Sequence, residues 1–223
     1  MGASRPVNPA AYHQTRFEFD PRRDVLWKTL CTRYFAQFIH PDFHVLELGA
    51  GYAHFINHVQ CAQRTAIDRW PMLEKYAAAG VSAHIGDITE LDFLKDHSVD
   101  FAFASNVFEH ISQADFATVL VRLRQKLKEG GTLNILQPNY KLAYKEYFDD
   151  YTHVSIYSDV SMCDFLRSHG YRIILCEPRF LPFSIKSRWP VAPWLITLYL
   201  RLPWKPLAKQ MFIRAQPEEF QNP

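Results

Sequence analysis

The chain has 223 residues, 48% of them hydrophobic and 22% charged, which is enough apolar material for one substantial core. A formal net charge of +2 is too small to mark a nucleic-acid binder from the total, and no apolar run approaches the roughly 20 residues that span a bilayer. Cys31, Cys61, Cys163 and Cys176 are widely spaced with no CxxC pair, so neither a zinc site nor a disulfide framework is indicated; reduced thiols in a cytosolic protein fit better.

Residues 1–20 are polar and aromatic, with Pro6 and Pro9, and read as an arm that orders against the domain; they lack the apolar region of a secretory leader. Asp24 to His40 carries Val25, Leu26, Leu30, Tyr34, Phe35 and Phe38 close to a helical stripe, with start signals at Pro21 and Asp24 and a stop at Pro41. In His44 to Val59, the apolar run Val45, Leu46 and Leu48 ends in Gly49-Ala50-Gly51, and helix-compatible residues resume at Ala53. Such a strand, turn and helix make a ligand site, because glycines let the backbone approach a cofactor and the first helical N–H groups favour an anion. A dinucleotide fingerprint would place a small residue at position 54, where this chain has His54, and Glu47 stands inside the strand end.

Arg64–Asp68 is a short strand ending in an acid, fewer than twenty residues beyond the glycine turn. That is where the acid gripping ribose hydroxyls belongs in a doubly wound sheet; the other reading is a cap for a helix beginning near Pro71. A helix over Met72–Ala79 ends at Gly80, and the strand Val81–Ile85 runs into Gly86-Asp87-Ile88, by itself a plain turn. Ser98–Ala104 reads as the fourth strand and leads into Ser105-Asn106-Val107-Phe108-Glu109-His110. Helix Gln113–Lys128, Gly130-Gly131 and the buried strand Thr132–Leu136 follow, closed by Pro138-Asn139. This alternation predicts an open parallel sheet with helices on both faces.

Glu47-x-Gly49-x-Gly51, the acids at 68 and 87, NVFEH and LKEGGTLNILQPN, in that order, resemble the motifs of class I S-adenosylmethionine (AdoMet) methyltransferases over roughly Val25 to Ile135. The resemblance implies an α/β fold, a Rossmann-like doubly wound seven-stranded mostly parallel sheet with an antiparallel last strand. It implies one domain over residues 1–223, with an arm and helix (1–41), a cofactor-binding core (42–138) and an acceptor-side C-terminal segment (139–223). With AdoMet as cofactor, Glu47 would sit near the methionine amino group, Gly49 and Gly51 would line the cofactor, and Asp68 would hold the ribose. Asp87 and Ile88 would meet the adenine amino group and ring face, and Ser105 and Asn106 would stand where cofactor and substrate meet. The tail is similar to small bacterial methyltransferases found among genes for surface glycans.

Leu142–Thr152 is crowded with Tyr144, Tyr147, Phe148 and Tyr151, and His153 follows. A helix over Val160–His169, a strand over Tyr171–Cys176 and a last strand over Met211–Arg214 complete the chain. Between those strands, residues 178–209 combine Arg179, Lys186, Arg188, Arg201, Lys205 and Lys209 with Trp189, Trp194 and Trp204 and a short apolar helix, Trp194–Leu200. Two readings stand, an interfacial element dipping into a membrane surface and a lid or dimer surface that buries those aromatics in protein. Apolar residues outweigh any stacking-and-charge pattern, so nucleic acid is not expected.

Methyl transfer from a sulfonium is an in-line displacement, in which the protein aligns the acceptor and excludes water. An oxygen acceptor needs help to lose its proton, and His153, Glu109 and His110 are the candidate catalytic residues. Asn106-x-x-Glu109-His110 is similar to the ExxEH metal pattern of some methyltransferases, but Asn106 replaces the first carboxylate. What remains is thin for a hard cation, and no metal is assigned. The expected activity is O-methylation of a sugar or glycan, lipid-linked in its amphiphilic form. Methylation of a quinone-like or other small metabolite, or a non-catalytic cofactor- or partner-binding role, are the other readings. The expected location is the cytoplasm, with peripheral contact at the inner face of the membrane.

Overall fold

A computed structural model describes residues 19–182 and 191–218. The arm expected over residues 1–20 thus lies almost wholly outside the described residues, as do Lys186, Arg188 and Trp189. Helix α1 (Pro21–Arg33) starts where expected, because the Asp20 carboxylate accepts from the Arg22 N–H at 2.9 Å and Pro21 occupies the first turn. It ends earlier than the stripe predicted, and a 3-10 turn over Phe35–Gln37 carries the remaining aromatic residues inward.

Seven strands form one sheet: β1 (His44–Leu48), β2 (Gln63–Asp68), β3 (Val81–Ile85), β4 (Val99–Ser105), β5 (Leu127–Pro138), β6 (Tyr171–Pro182) and β7 (Ala208–Pro217). Their order is β3-β2-β1-β4-β5-β7-β6. β7 runs antiparallel to both β5 and β6, and the other six strands are parallel to one another. The order reverses between β1 and β4, and a crevice at that switch point, at the carboxyl ends of the strands, is where an open α/β sheet binds its ligand.

The helices are α2 (His54–His58), α3 (Leu73–Tyr76), α4 (Gln113–Lys126), α5 (Tyr140–Ala143), α6 (Asp159–Ser168) and α7 (Pro193–Arg201). On one face of the sheet, Phe116, Leu120 and Leu123 of α4 pack with Met162 and Leu166 of α6. On the other, Leu30 of α1 and Phe55 of α2 pack with Phe35, Phe101, Phe103 and Phe212. The Phe55 and Phe103 rings stack at 4.0 Å, which fastens the short helix after the glycine turn onto the sheet.

Several boundaries differ from the sequence reading, each for a local reason. β5 begins at Leu127 rather than Thr132, because Leu127 already pairs with Val99; Lys128 to Gly131, with Gly130 at φ of +77°, form the irregularity before pairing resumes between Phe101 and Thr132. α4 therefore stops at Lys126. β6 runs through Pro178 to Pro182, so the aromatic, basic connection starts after residue 182 instead of at 178. Prolines are tolerated there because β6 is an edge strand that pairs only with β7. The helix expected over Met72–Ala79 is a single turn, Leu73–Tyr76.

Candidate active site

The carboxyl ends of β1 to β4 bring the sequence-predicted cofactor residues to one edge of the sheet. Gly49 has φ of +65°, and its N–H donates to Ile67 O at 2.8 Å. A Cβ there would stand 2.6 Å from Val107 Cγ2, so the turn borders the segment after β4 with no room for a side chain. The Gly51 N–H donates to Asp68 Oδ2 at 2.7 Å, and the Trp70 N–H donates to Asp68 Oδ1 at 2.8 Å. Asp68 thus joins the end of β2 to the glycine turn. It does not cap α3, whose N-terminus has no side-chain cap.

Glu47 is buried within β1, with Oε2 accepting from the Ile56 N–H at 3.0 Å. Burial pushes its carboxyl up to about 8, against the smaller opposing effect of that N–H. Asp68 is also raised by burial, although the Trp70 and Gly51 N–H groups pull it back. Asp87 follows β3, accepts from the Thr89 N–H and hydroxyl at 2.9 Å, and pairs with Arg69. Ile88 beside it is buried in the core. At the end of β4, Asn106 has φ of +53°; its Oδ1 accepts from Gln210 Nε2 at 3.0 Å and its Nδ2 donates to Ser105 Oγ at 3.3 Å.

The three candidate catalytic residues come together. One ligand-type atom each from Glu109, His110 and His153 lies within 4.8 Å of the others, and the two imidazole rings stand 4.8 Å apart. The join between distant segments is made by backbone: the Glu109 carbonyl accepts from the Val154 N–H at 2.8 Å and the Ser155 N–H at 3.1 Å. Glu109 does not cap α4, since Ser112 does that by accepting from the Asp115 N–H. Instead its side chain is fully buried with neither carboxylate oxygen hydrogen-bonded, and burial pushes it up to about 8. Burial, reinforced by His153, pushes His110 down to about 4, keeping its imidazole neutral near pH 7.

Hydrogen bonding fixes both tautomers. His153 Nδ1 lies 2.6 Å from the Tyr147 carbonyl oxygen, which can only accept, so Nδ1 carries a hydrogen and the neutral ring has its lone pair on Nε2. His110 Nδ1 lies 2.9 Å from the Thr152 hydroxyl, which spends its own hydrogen on Asp150 Oδ1 at 2.6 Å. His110 Nδ1 is therefore the donor, and its lone pair is again on Nε2.

Of the four aromatic residues crowded into Leu142–Thr152, Tyr147 is buried, its ring 4.5 Å from that of His153, whereas Tyr144, Phe148 and Tyr151 are exposed. Sequence reasoning missed Gln137 of β5, which is fully buried with both amide atoms unpartnered, and the Asp150–Thr152 pair behind His110. A glutamine inside an apolar strand was the available signal for the first. Nothing local announces the second.

Residues 46–135 match the methyltransferase domain family model. That match covers less than half of the chain. The fold of the chain is shared with AdoMet-dependent methyltransferases of known structure. A SAM-dependent methyltransferase from Archaeoglobus fulgidus superposes with TM-score 0.66 at 17% identity, covering 92% of this chain and 97% of that one. One from Thermotoga maritima gives 0.65 at 17% identity over 94% and 99%, and one from Clostridium acetobutylicum 0.62 at 13% over 94% and 97%. In sequence, an uncharacterized Mycobacterium tuberculosis protein, Rv1509, is 40% identical over 58 residues, 26% of this chain. The chain spans 19% of the length of that curated relative.

The domain's buried Glu47 gives it a pH signature. A carboxyl whose folded value is raised above its unfolded value of 4.5 keeps its full contribution below that value and loses it as pH rises through about 8. Thermal denaturation of the ligand-free protein should therefore show a melting temperature falling across that window, and Glu47→Gln should make the fall shallower. An unchanged slope would show that Glu47 is not buried as a neutral acid.

Proposed function

We propose that the chain is an AdoMet-dependent methyltransferase acting on a hydroxyl oxygen of a sugar or glycan, lipid-linked acceptors included. The observation that carries the oxygen acceptor is the Glu109–His110–His153 cluster, joined through Val107 to the glycine turn. A sugar hydroxyl is a poor nucleophile until its proton is removed, and a neutral imidazole with its lone pair on Nε2 is a base suited to pH 7. In this reading the acceptor hydroxyl gives its proton to His153 Nε2 as its oxygen attacks the AdoMet methyl carbon. The carbon–sulfur bonding pair returns to sulfur, leaving S-adenosylhomocysteine and a methyl ether. Glu47, Gly49, Gly51, Asp68, Asp87, Ile88, Ser105 and Asn106 hold the cofactor; the backbone and carboxylates there align the methyl group rather than exchange protons.

The amphiphilic acceptor is supported by the segment around α7. Ile196, Tyr199 and Leu200 pack inward against the α1 side of the core, while Trp194 is 68% and Trp204 66% exposed, with Leu198 and Leu207 beside them in sequence and also exposed. The basic character is thinner than its residue count, because Lys205 pairs with Glu177 at 2.6 Å and Lys209 pairs with Glu146. Arg179 and Arg201 remain exposed. Among the described residues no helix is long and apolar enough to cross a membrane, so any contact is at a surface.

Methyl transfer should be detected with glycan or lipid-linked sugar acceptors in a screen that also contains nucleotide sugars and quinones; transfer confined to quinones would overturn the acceptor class. His153→Ala should lower turnover by roughly 10²-fold or more while S-adenosylhomocysteine affinity is kept, and unchanged turnover would remove His153 from the site. For the surface, the double variant Trp194→Asp/Leu198→Asp should float with anionic liposomes less than wild type, and equal flotation would contradict a membrane role.

A further inference from the structure

The same three residues have a property that proton transfer alone does not use. Glu109 is fully buried, and both of its carboxylate oxygens lack any hydrogen-bond donor. A buried carboxylate without donors is costly and calls for a compensating partner. Beside it stand two imidazoles whose Nδ1 positions are each spent on hydrogen bonds that hold the rings in place. One runs to the Tyr147 carbonyl and the other to Thr152, itself anchored on Asp150. A carbonyl or a carboxylate-backed hydroxyl behind Nδ1, with the lone pair left on Nε2, is the outer support that metal-ligating histidines require.

We propose that Glu109, His110 and His153 bind a divalent transition ion of the borderline class, such as Zn2+ or Co2+, in preference to Mg2+. Two imidazoles and one carboxylate suit that class, whereas Mg2+ takes an all-oxygen shell and keeps most of its water. Asn106, the other oxygen-bearing side chain of the segment after β4, is engaged with Gln210 and Ser105, and Asp150 Oδ1 is taken up by the Thr152 N–H and hydroxyl. The set therefore stays at one oxygen and two nitrogens. Ligand atoms about 2.1 Å from an ion stand roughly 3.4 Å from one another in a tetrahedron. The ligand-type atoms lie within 4.8 Å of one another, so side-chain adjustment has to draw them together to close on an ion. Three protein ligands leave a fourth position for the acceptor oxygen, whose bound hydroxyl then loses its proton to solvent at a lower pH than when free. In the ion-bound form this replaces proton removal by His153. The binding site itself depends on neither the acceptor's identity nor the proposed reaction.

The test uses the full chain after chelation and desalting, titrated with Co2+ and read by its visible absorption. The expected result is one equivalent of Co2+ bound, displaced by stoichiometric Zn2+ but not by excess Mg2+. Glu109→Gln and His153→Ala should each weaken Co2+ binding by roughly tenfold or more while still binding S-adenosylhomocysteine, which shows that they are folded. No saturable Co2+ band in the wild type would overturn the site. So would equal Co2+ binding by wild type and both variants, which would move the ion elsewhere, for instance to His58 and Asp24. Displacement by Mg2+ would overturn the ion class. Loss of turnover in His153→Ala together with no Co2+ binding by the wild type would leave the base reading standing and remove the metal site.

Discussion

The hydrogen bond from the Gly51 N–H to the Asp68 carboxylate is the constraint on which the proposed cofactor half of the structure depends. It ties the end of β2 to the turn after β1, while the Gly49 and Ala50 N–H groups donate to the Ile67 carbonyl one residue earlier. Two adjacent parallel strands thus end at a fixed relative height. Val107, after β4, closes the turn from the other side and leaves no room for a side chain at Gly49. A carboxylate held by two backbone N–H groups is already oriented before any ligand arrives, so little ordering cost falls on binding.

The acceptor half is assembled differently. Glu109 and His110 lie in a turn directly after β4, but His153 arrives from a connection more than forty residues later and is pinned by backbone N–H groups donating to the Glu109 carbonyl. Its ring is then set by Tyr147, a buried residue of the intervening loop. The loop's aromatic content thus does two jobs. Tyr147 holds the His153 ring, and its neighbours Tyr144, Phe148 and Tyr151 are exposed. At the far edge, Lys205 paired with Glu177, which also receives the Tyr34 hydroxyl, anchors the stretch after α7 to β6 and α1. That anchor leaves Trp194 and Trp204 turned to the surface.

The strand-turn elements were legible in the sequence because buried parallel strands are short apolar runs and the turns between them need glycine or an acid at fixed places. β1, β2, β3 and β4 accordingly sit within about a residue of their expected bounds. β5 and β6 were underestimated because, apart from the buried Leu127, Phe180 and Leu181, their extra residues are polar, glycine or proline and carry no strand pattern of their own. The clustering of Glu109, His110 and His153 was readable as a list of candidate bases. Their tautomers and the bare carboxylate were not, since both depend on Thr152, Asp150 and Tyr147 approaching in space. The tail's basic residues were overcounted as a surface, because ion pairs with Glu177 and Glu146 cannot be seen in the chain order.

The central claim, a preformed AdoMet site at the carboxyl ends of β1 to β4, is tested most directly by isothermal titration of the wild type and of Asp68→Asn with S-adenosylhomocysteine. Saturable one-to-one binding by the wild type, weakened in the variant, is the predicted result. Absence of binding by the wild type at high micromolar ligand would contradict it.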